Sequence, residues 1–166
     1  TYLEEWIPVS GISDGKKIVI MGVANKRSLA YGCYQALQAQ GAQIILTYQN
    51  ERFKKSLSRF IDEDVQLVEC DVADPENVKT AFAAINDQVG KIDGIIHAIA
   101  YADPEALSGE TTDADLDAFE KAQAISVYSL ISVAKYGRQI MNDGGSIVTL
   151  TYMGSERAIP NYNIMG

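Results

Sequence analysis

Histidine and cysteine are scarce in this chain: 166 residues hold one histidine, His97, and two cysteines, Cys33 and Cys70. With one imidazole and no Cys-x-x-Cys pair, the sequence argues against a histidine-based zinc site and a Ser-His-Asp triad. Both cysteines sit inside apolar patterns, one helical and one strand-like, and read as reduced core residues of a cytoplasmic protein. Only four prolines occur, and no Pro-rich linker, repeat or low-complexity stretch divides the chain. No apolar run approaches the roughly 18 residues of a membrane span, and nothing reads as a signal peptide. Positive charge is also short, with 14 Lys and Arg against 22 Asp and Glu, a net charge of −8. That balance argues against nucleic acid or an anionic membrane as partner. It leaves room for an anionic cofactor, because backbone amides at a helix N-terminus hold phosphate without side-chain charge.

What is present is a repeated strand–helix pattern. Lys17 to Gly22 is a short apolar strand, followed by a glycine-containing turn and a helix from Ser28 to Gln40 that Gly41 is placed to end. Ala42–Tyr48 reads as a second strand, and Glu51 to Ile61 has helical spacing in Phe53, Leu57, Phe60 and Ile61. Val65–Cys70 is a third strand, with Pro75 opening the next helix. A fourth strand runs from Ile92 to Ala98. A long helix, roughly Asp113 to Met141, leads through Gly144 and Gly145 into a fifth, Ser146–Thr151. Apolar strands alternating with helices predict an α/β fold: a doubly wound, parallel Rossmann-type sheet ordered 3-2-1-4-5. Residues 15–166 are expected to form one dinucleotide-binding domain. Residues 1–14, with Tyr2, Leu3, Trp6 and Ile7, read as an N-terminal arm that packs on it or stays disordered.

Four segments at strand ends carry the chemistry. Gly22-Val23-Ala24-Asn25-Lys26-Arg27-Ser28-Leu29-Ala30-Tyr31-Gly32 stands where a dinucleotide fold puts its phosphate loop. Gly22 permits the tight turn, Ser28 is placed to cap the helix, and Gly32 would let helix and sheet approach closely. Ala24 holds a position that is glycine in the general GxGxxG fingerprint, and an ordinary glycine turn explains the bare pattern as well. The second strand ends in Thr47-Tyr48-Gln49-Asn50, without the acid that often binds the adenosine ribose. Gln49 can hydrogen-bond a hydroxyl instead. Arg52, Lys54 and Lys55 would suit a 2′-phosphate, or simply form a solvated helix face. Asp71, with Val72, is suited to adenine and equally to capping the helix at Pro75. Ala98, Ile99 and Ala100 are small or apolar residues that let backbone approach a cofactor, and His97 reads as structural or cofactor-adjacent.

The last segment, Tyr152-Met153-Gly154-Ser155-Glu156-Arg157-Ala158-Ile159-Pro160-Asn161-Tyr162-Asn163-Ile164-Met165-Gly166, comes after the fifth strand and sets two tyrosines ten positions apart. It resembles the active-site segment of bacterial NADH-dependent enoyl-acyl-carrier-protein reductases, of the short-chain dehydrogenase/reductase superfamily. The long loop ending in Ser28-Leu29-Ala30-Tyr31-Gly32 is also similar to that family's. The resemblance runs from about Gly15 to Gly166 and implies reduction of the C2=C3 bond of an enoyl thioester on acyl carrier protein, in fatty-acid elongation. It implies NADH as cofactor, with NADPH an alternative, and homotetramers at full length. By the same resemblance Tyr162 donates a hydrogen bond to the thioester oxygen, Tyr152 lies beside it, and Gly22, Ala24, Ser28, Leu29, Gln49, Asp71, Val72, Ala98, Ile99 and Ala100 hold the cofactor.

The family's lysine, seven residues past the second tyrosine, falls beyond Gly166. The chain is therefore expected to be C-terminally truncated relative to the family, to lack its last strands and substrate lid, and to be a poor enzyme by itself. Two alternatives stay open: a catalytically inactive dinucleotide-binding module, and a short-chain dehydrogenase acting on a ketone or alcohol. The latter usually places a serine thirteen residues before its tyrosine, where this chain has Thr149.

Overall fold

The computed structural model describes residues 11–166. Five strands, β1 (Lys17–Met21), β2 (Gln43–Tyr48), β3 (Gln66–Glu69), β4 (Ile92–His97) and β5 (Met141–Thr149), form one sheet in the order β3-β2-β1-β4-β5. Every neighbouring pair is parallel. Between them run α1 (Leu29–Ala39), α2 (Glu51–Leu57), α3 (Pro75–Val89), α4 (Leu116–Gln123) and α5 (Ser129–Gly137). This is the doubly wound sheet that the strand–helix alternation predicts. No helix of the described residues is long and apolar enough to cross a membrane.

The central strand shows why its sequence is apolar from Ile18 to Met21. Side chains alternate across a strand, so Val19 and Met21 enter one core with Phe82 and Ile85 of α3 and Val133 of α5. Ile20 enters the other, with Ala30 and Tyr34 of α1 and Leu57 of α2. Both faces are covered, which leaves no position for a polar side chain. Val19 stands in register with Ile45 on one side and Ile95 on the other.

Helix starts are set by short polar side chains. Asn50 accepts hydrogen bonds from the Arg52 and Phe53 amides to open α2, and Asp74 accepts from Glu76 to open α3, where Pro75 occupies the first turn. Asp115 accepts from Asp117 and Ala118 and so starts α4 at Leu116.

Several local expectations are corrected. The long helix expected over 113–141 is two helices, α4 and α5, joined by a π-helical turn at Ala124–Tyr128. It ends at Gly137 because the Ile140 carbonyl is needed to accept from the Ile92 amide, and Met141 already pairs with Ile92. Gly144 and Gly145 lie inside β5 rather than before it. They belong to an irregularity in which Met141 pairs with Ile92 but Ser146 pairs with Gly94. The Asp93 carboxylate fills the gap, accepting from the Lys17 amide at 2.9 Å and from Asn142 Nδ2 at 3.1 Å. The Lys17 hydrogen bond, more than any other contact, lowers the Asp93 pKa from the ordinary carboxylate value.

Helix α2 stops at Leu57, although Ile61 and Phe60 still pack on the core. Asp71 does not cap α3, a role that Asp74 takes. Cys70 is buried as expected, whereas Cys33 is only half-buried; both are free thiols.

The close-approach glycine is also a different one. A Cβ at Gly32 would meet no atom within 4 Å, so no helix–sheet contact requires that glycine. A Cβ at Gly137 would stand 2.3 Å from Ile95 Cδ1 and 3.2 Å from Phe82 Cε1. It is α5 whose backbone lies against the sheet. Of the segment expected to be an arm, Tyr2, Leu3, Trp6 and Ile7 lie outside the described residues, while the Ile12 amide donates to Gln40 Oε1 at 3.2 Å.

Candidate functional site

A cavity of about 420 Å³ opens beyond the C-terminal ends of β1 to β4. Connections from β1 and β4 leave toward opposite faces of the sheet, and the crevice between them is where open α/β sheets bind ligands. Eight of the ten expected cofactor residues line it: Gly22, Ala24, Gln49, Asp71, Val72, Ala98, Ile99 and Ala100. Ser28 and Leu29 do not line it, and stand at the start of α1. Tyr152 and Tyr162 are also outside its lining, on the segment after β5.

The floor is made by backbone. Gly22 has φ +96°, and a Cβ there would stand 2.0 Å from the Ala98 carbonyl oxygen. Only glycine satisfies both the left-handed conformation and that contact. Ser28 holds the cap position of α1, yet its Oγ donates to the Asn25 carbonyl oxygen at 2.7 Å instead of accepting from the helix. Among the described residues the Leu29 and Ala30 amides then have no acceptor. These free donors and the positive end of the α1 dipole come directly after the loop that lines the cavity. A phosphate group fits that donor set, and the side-chain-free floor fits a dinucleotide laid across the strand ends.

At the far wall Gln49 Nε2 donates to Asp71 Oδ2 at 3.4 Å, and Asp71 Oδ1 accepts from the Ala73 amide at 3.1 Å. The carboxylate is thus held at the end of β3 with Phe53 beside it on the cavity wall. Arg52, Lys54 and Lys55 are not in the lining. Lys54 instead pairs with Glu51 at 3.4 Å and lies over the Tyr48 ring. Cys70, although in the wall, is no nucleophile: burial, then the Asp71 charge, push its thiol up to about 12.

His97, 1% exposed, is structural. Ser129 Oγ lies 2.7 Å from His97 Nε2 and donates to the Ile125 carbonyl oxygen at 2.6 Å. Nδ1 lies 3.3 Å from Thr149 Oγ1, which donates to the His97 carbonyl oxygen at 3.2 Å. Burial lowers the His97 pKa. A neutral imidazole therefore ties together β4, α5 and the end of β5.

The two tyrosines meet each other. Their ring centroids are 4.9 Å apart at 64°, edge to face, with Tyr152 about half exposed. Gly154 lies beneath, where a Cβ would come within 2.7 Å of the Tyr162 ring. Asn161 and Asn163, on either side of Tyr162, have φ of 60° and 33°, a region that asparagine tolerates. Asn163 Nδ2 donates to the Ser108 carbonyl oxygen at 3.2 Å, fixing this segment to the one after β4.

A family profile described as Enoyl-(Acyl carrier protein) reductase matches residues 22–166, the span that holds the cavity and both tyrosines. The chain belongs to the enoyl-(acyl carrier protein) reductase family. Similar curated proteins include the NADH-dependent enoyl-[acyl-carrier-protein] reductase FabI of Enterococcus faecalis, 56% identical over 151 residues, covering 91% of this chain and 60% of that protein. The NADPH-dependent FabI of Staphylococcus aureus strain NCTC 8325 is 42% identical over 92% of this chain and 61% of its own. Among solved structures, the Anaplasma phagocytophilum reductase in complex with NAD superposes with TM-score 0.90 at 41% identity, over 95% of this chain and 61% of that one. The chain spans about 60% of the length of the curated relatives it matches.

This reductase-family cavity has wall residues that the sequence reading missed. Val23, Tyr48 and Cys70 are direct neighbours of expected residues, and Thr47 is two positions from Gln49, so contiguity was the available signal. Tyr101 adjoins Ala100 in the same way. Lys121 and Ile125 reach the wall from α4 and the π-helical turn, and no local pattern marks them.

Proposed function

We propose that this chain forms the dinucleotide-binding domain, residues 15–166, of a cytoplasmic enoyl-acyl-carrier-protein reductase. At native length it would reduce the C2=C3 bond of trans-2-enoyl groups on acyl carrier protein. The observation that carries this reading is the cavity at the strand ends, floored by the Gly22–Ala98 backbone contact and succeeded along the chain by the paired tyrosines. Names carried by the relatives support the activity, and NADH or NADPH appears in them as the reductant.

The nicotinamide cofactor, when bound, supplies the hydride. Gly22, Ala24 and the free Leu29 and Ala30 amides at the start of α1 would hold the pyrophosphate, with Ser28 shaping that turn. Asp71 and Val72 would hold the adenine, and Gln49 a ribose hydroxyl. Ala98, Ile99 and Ala100 would bed the nicotinamide half. NADH is preferred over NADPH on the grounds that, among the described residues, no cation lines the cavity beside Gln49. Hydride arriving at C3 of the enoyl group puts negative charge on the thioester oxygen. The Tyr162 hydroxyl would donate a hydrogen bond where that charge develops, and Tyr152, packed against it, would fix its orientation.

A homotetramer is proposed for the native-length protein, supported by the exposed Leu116, Phe119, Val127, Tyr128 and Ile131 on the α4–α5 segment. The ketone-reducing alternative is disfavoured by Thr149, whose hydroxyl faces His97.

The test is turnover by the native-length protein of crotonyl-coenzyme A with NADH, monitored by NADH absorbance and compared with a ketone substrate. Tyr162→Phe should lower kcat by about 10²–10³-fold, the range for loss of one oxyanion donor, while KM for NADH stays unmoved. Reduction of the ketone but not the thioester would overturn the reading.

A further inference from the structure

One charged cluster at the cavity wall is given no role in the function proposed above. Lys121 Nζ sits 2.8 Å from Asp103 Oδ1 and 3.2 Å from Oδ2, and 4.9 Å from the centroid of the Tyr101 ring. The Tyr101 hydroxyl donates to the same Asp103 Oδ1 at 2.7 Å. The cluster is closed: ammonium to carboxylate, phenol to carboxylate, ammonium over the phenol face.

Ser126 holds the other end of the same residue. Its Oγ accepts from the Tyr101 amide at 3.0 Å and donates to the Tyr101 carbonyl oxygen at 3.0 Å. Lys121, in the last turn of α4, and Ser126, in the π-helical turn at Ala124–Tyr128, both meet Tyr101. Ser126 Oγ also lies 3.9 Å from Met165 Sδ, three residues past Tyr162. Beneath them Ala106, Ala122 and Ile164 form a small core that joins the segment after β4, α4 and the tyrosine segment.

We propose that Lys121, Asp103 and Ser126 are positioning residues that hold Tyr101 as the cavity wall on the enoyl-thioester side and fix it relative to Tyr162. Placement supports that side: Tyr101 and Lys121 line the cavity next to Ala100, on the segment tied to the tyrosines, whereas Gln49 and Asp71 stand at the ends of β2 and β3. The ammonium is engaged by Asp103 and the ring, so it acts through Tyr101 rather than on a phosphate. This inference rests on the reductase reading.

The native-length protein and its K121M, K121R, D103N and S126A variants would be assayed with crotonyl-coenzyme A and NADH. K121M and D103N should raise KM for the thioester about ten-fold and leave KM for NADH within about two-fold, and K121R should restore most of the loss. Independently of any substrate, S126A should speed hydrogen exchange at the Tyr101 amide about ten-fold or more. Unchanged thioester KM in both K121M and D103N, or both KM values rising together with a lowered melting temperature, overturns the proposal. If the wild-type protein reduces no enoyl thioester, the reductase reading falls. The clamp is then decided by Tyr101 exchange alone, and an unchanged rate in S126A overturns it.

Discussion

Strands β1 and β5 belong to one sheet and differ in almost every physical respect. Val19, Ile20 and Met21 of β1 are wholly buried, each with a strand on both sides and helices over both faces. Strand β5 pairs on one edge only, and within it Val148 is 50% exposed. An apolar side chain does not make its own burial; neighbours do. The same contrast separates the two halves of the candidate site. The cavity wall grows from the ends of buried strands and is fixed by backbone contact, while the tyrosine segment extends from the edge strand and is held by a few side chains.

The contrast can be broken or sharpened by experiment. Phe82 of α3, fully buried beside Ile95 and Gly137, should cost about 3–5 kcal/mol on replacement by alanine, measured by denaturant unfolding. Gly22→Ala forces a side chain into a left-handed turn and against the Ala98 carbonyl. It should lose about 1–3 kcal/mol of stability, with NADH binding by titration weakened in parallel.

Smaller still is the effect of His97, whose pKa is lowered from the ordinary 6.5 by burial. Below that unfolded value the unfolded chain takes a proton that the folded chain refuses, so stability is fully present above it and is lost as pH falls. The slope should reach at most about 1.4 kcal/mol per pH unit, and that component should vanish in His97→Asn, read from melts between neutral and mildly acid pH. Least of all, Val148→Ala should change stability by less than about 1 kcal/mol. A loss as large as that of Phe82→Ala would mean that β5 is buried in solution and would end the comparison.

Much of the fold was legible because burial on both sheet faces forces unbroken apolar strands, and a helix between each pair forces parallel order. Eight of the ten residues expected to hold a cofactor line the cavity for the same reason: a crevice at a switch point must be lined by the residues just past each strand end. Ser28 was read correctly as the cap position, but its hydroxyl chose the Asn25 carbonyl, a local competition that sequence does not decide. Gly32 and Gly137 were indistinguishable as letters. Only the packing of α5 on Ile95 and Phe82 showed which of them a close approach requires.

The strand–helix order, the sheet topology and the loop that floors the cavity came from sequence alone, because they are written in periodicity and in neighbouring residues; the family came from the resemblance of the Tyr152–Gly166 segment. The tertiary structure decided what depends on distance in space. It ended the expected long helix at Gly137, because the Ile92 amide of β4 takes the Ile140 carbonyl. It set His97 against Ser129, 32 residues away. It brought Lys121 to Tyr101 from another element, a contact made only once the π-helical turn and the small core beneath it have set α4 against the cavity wall.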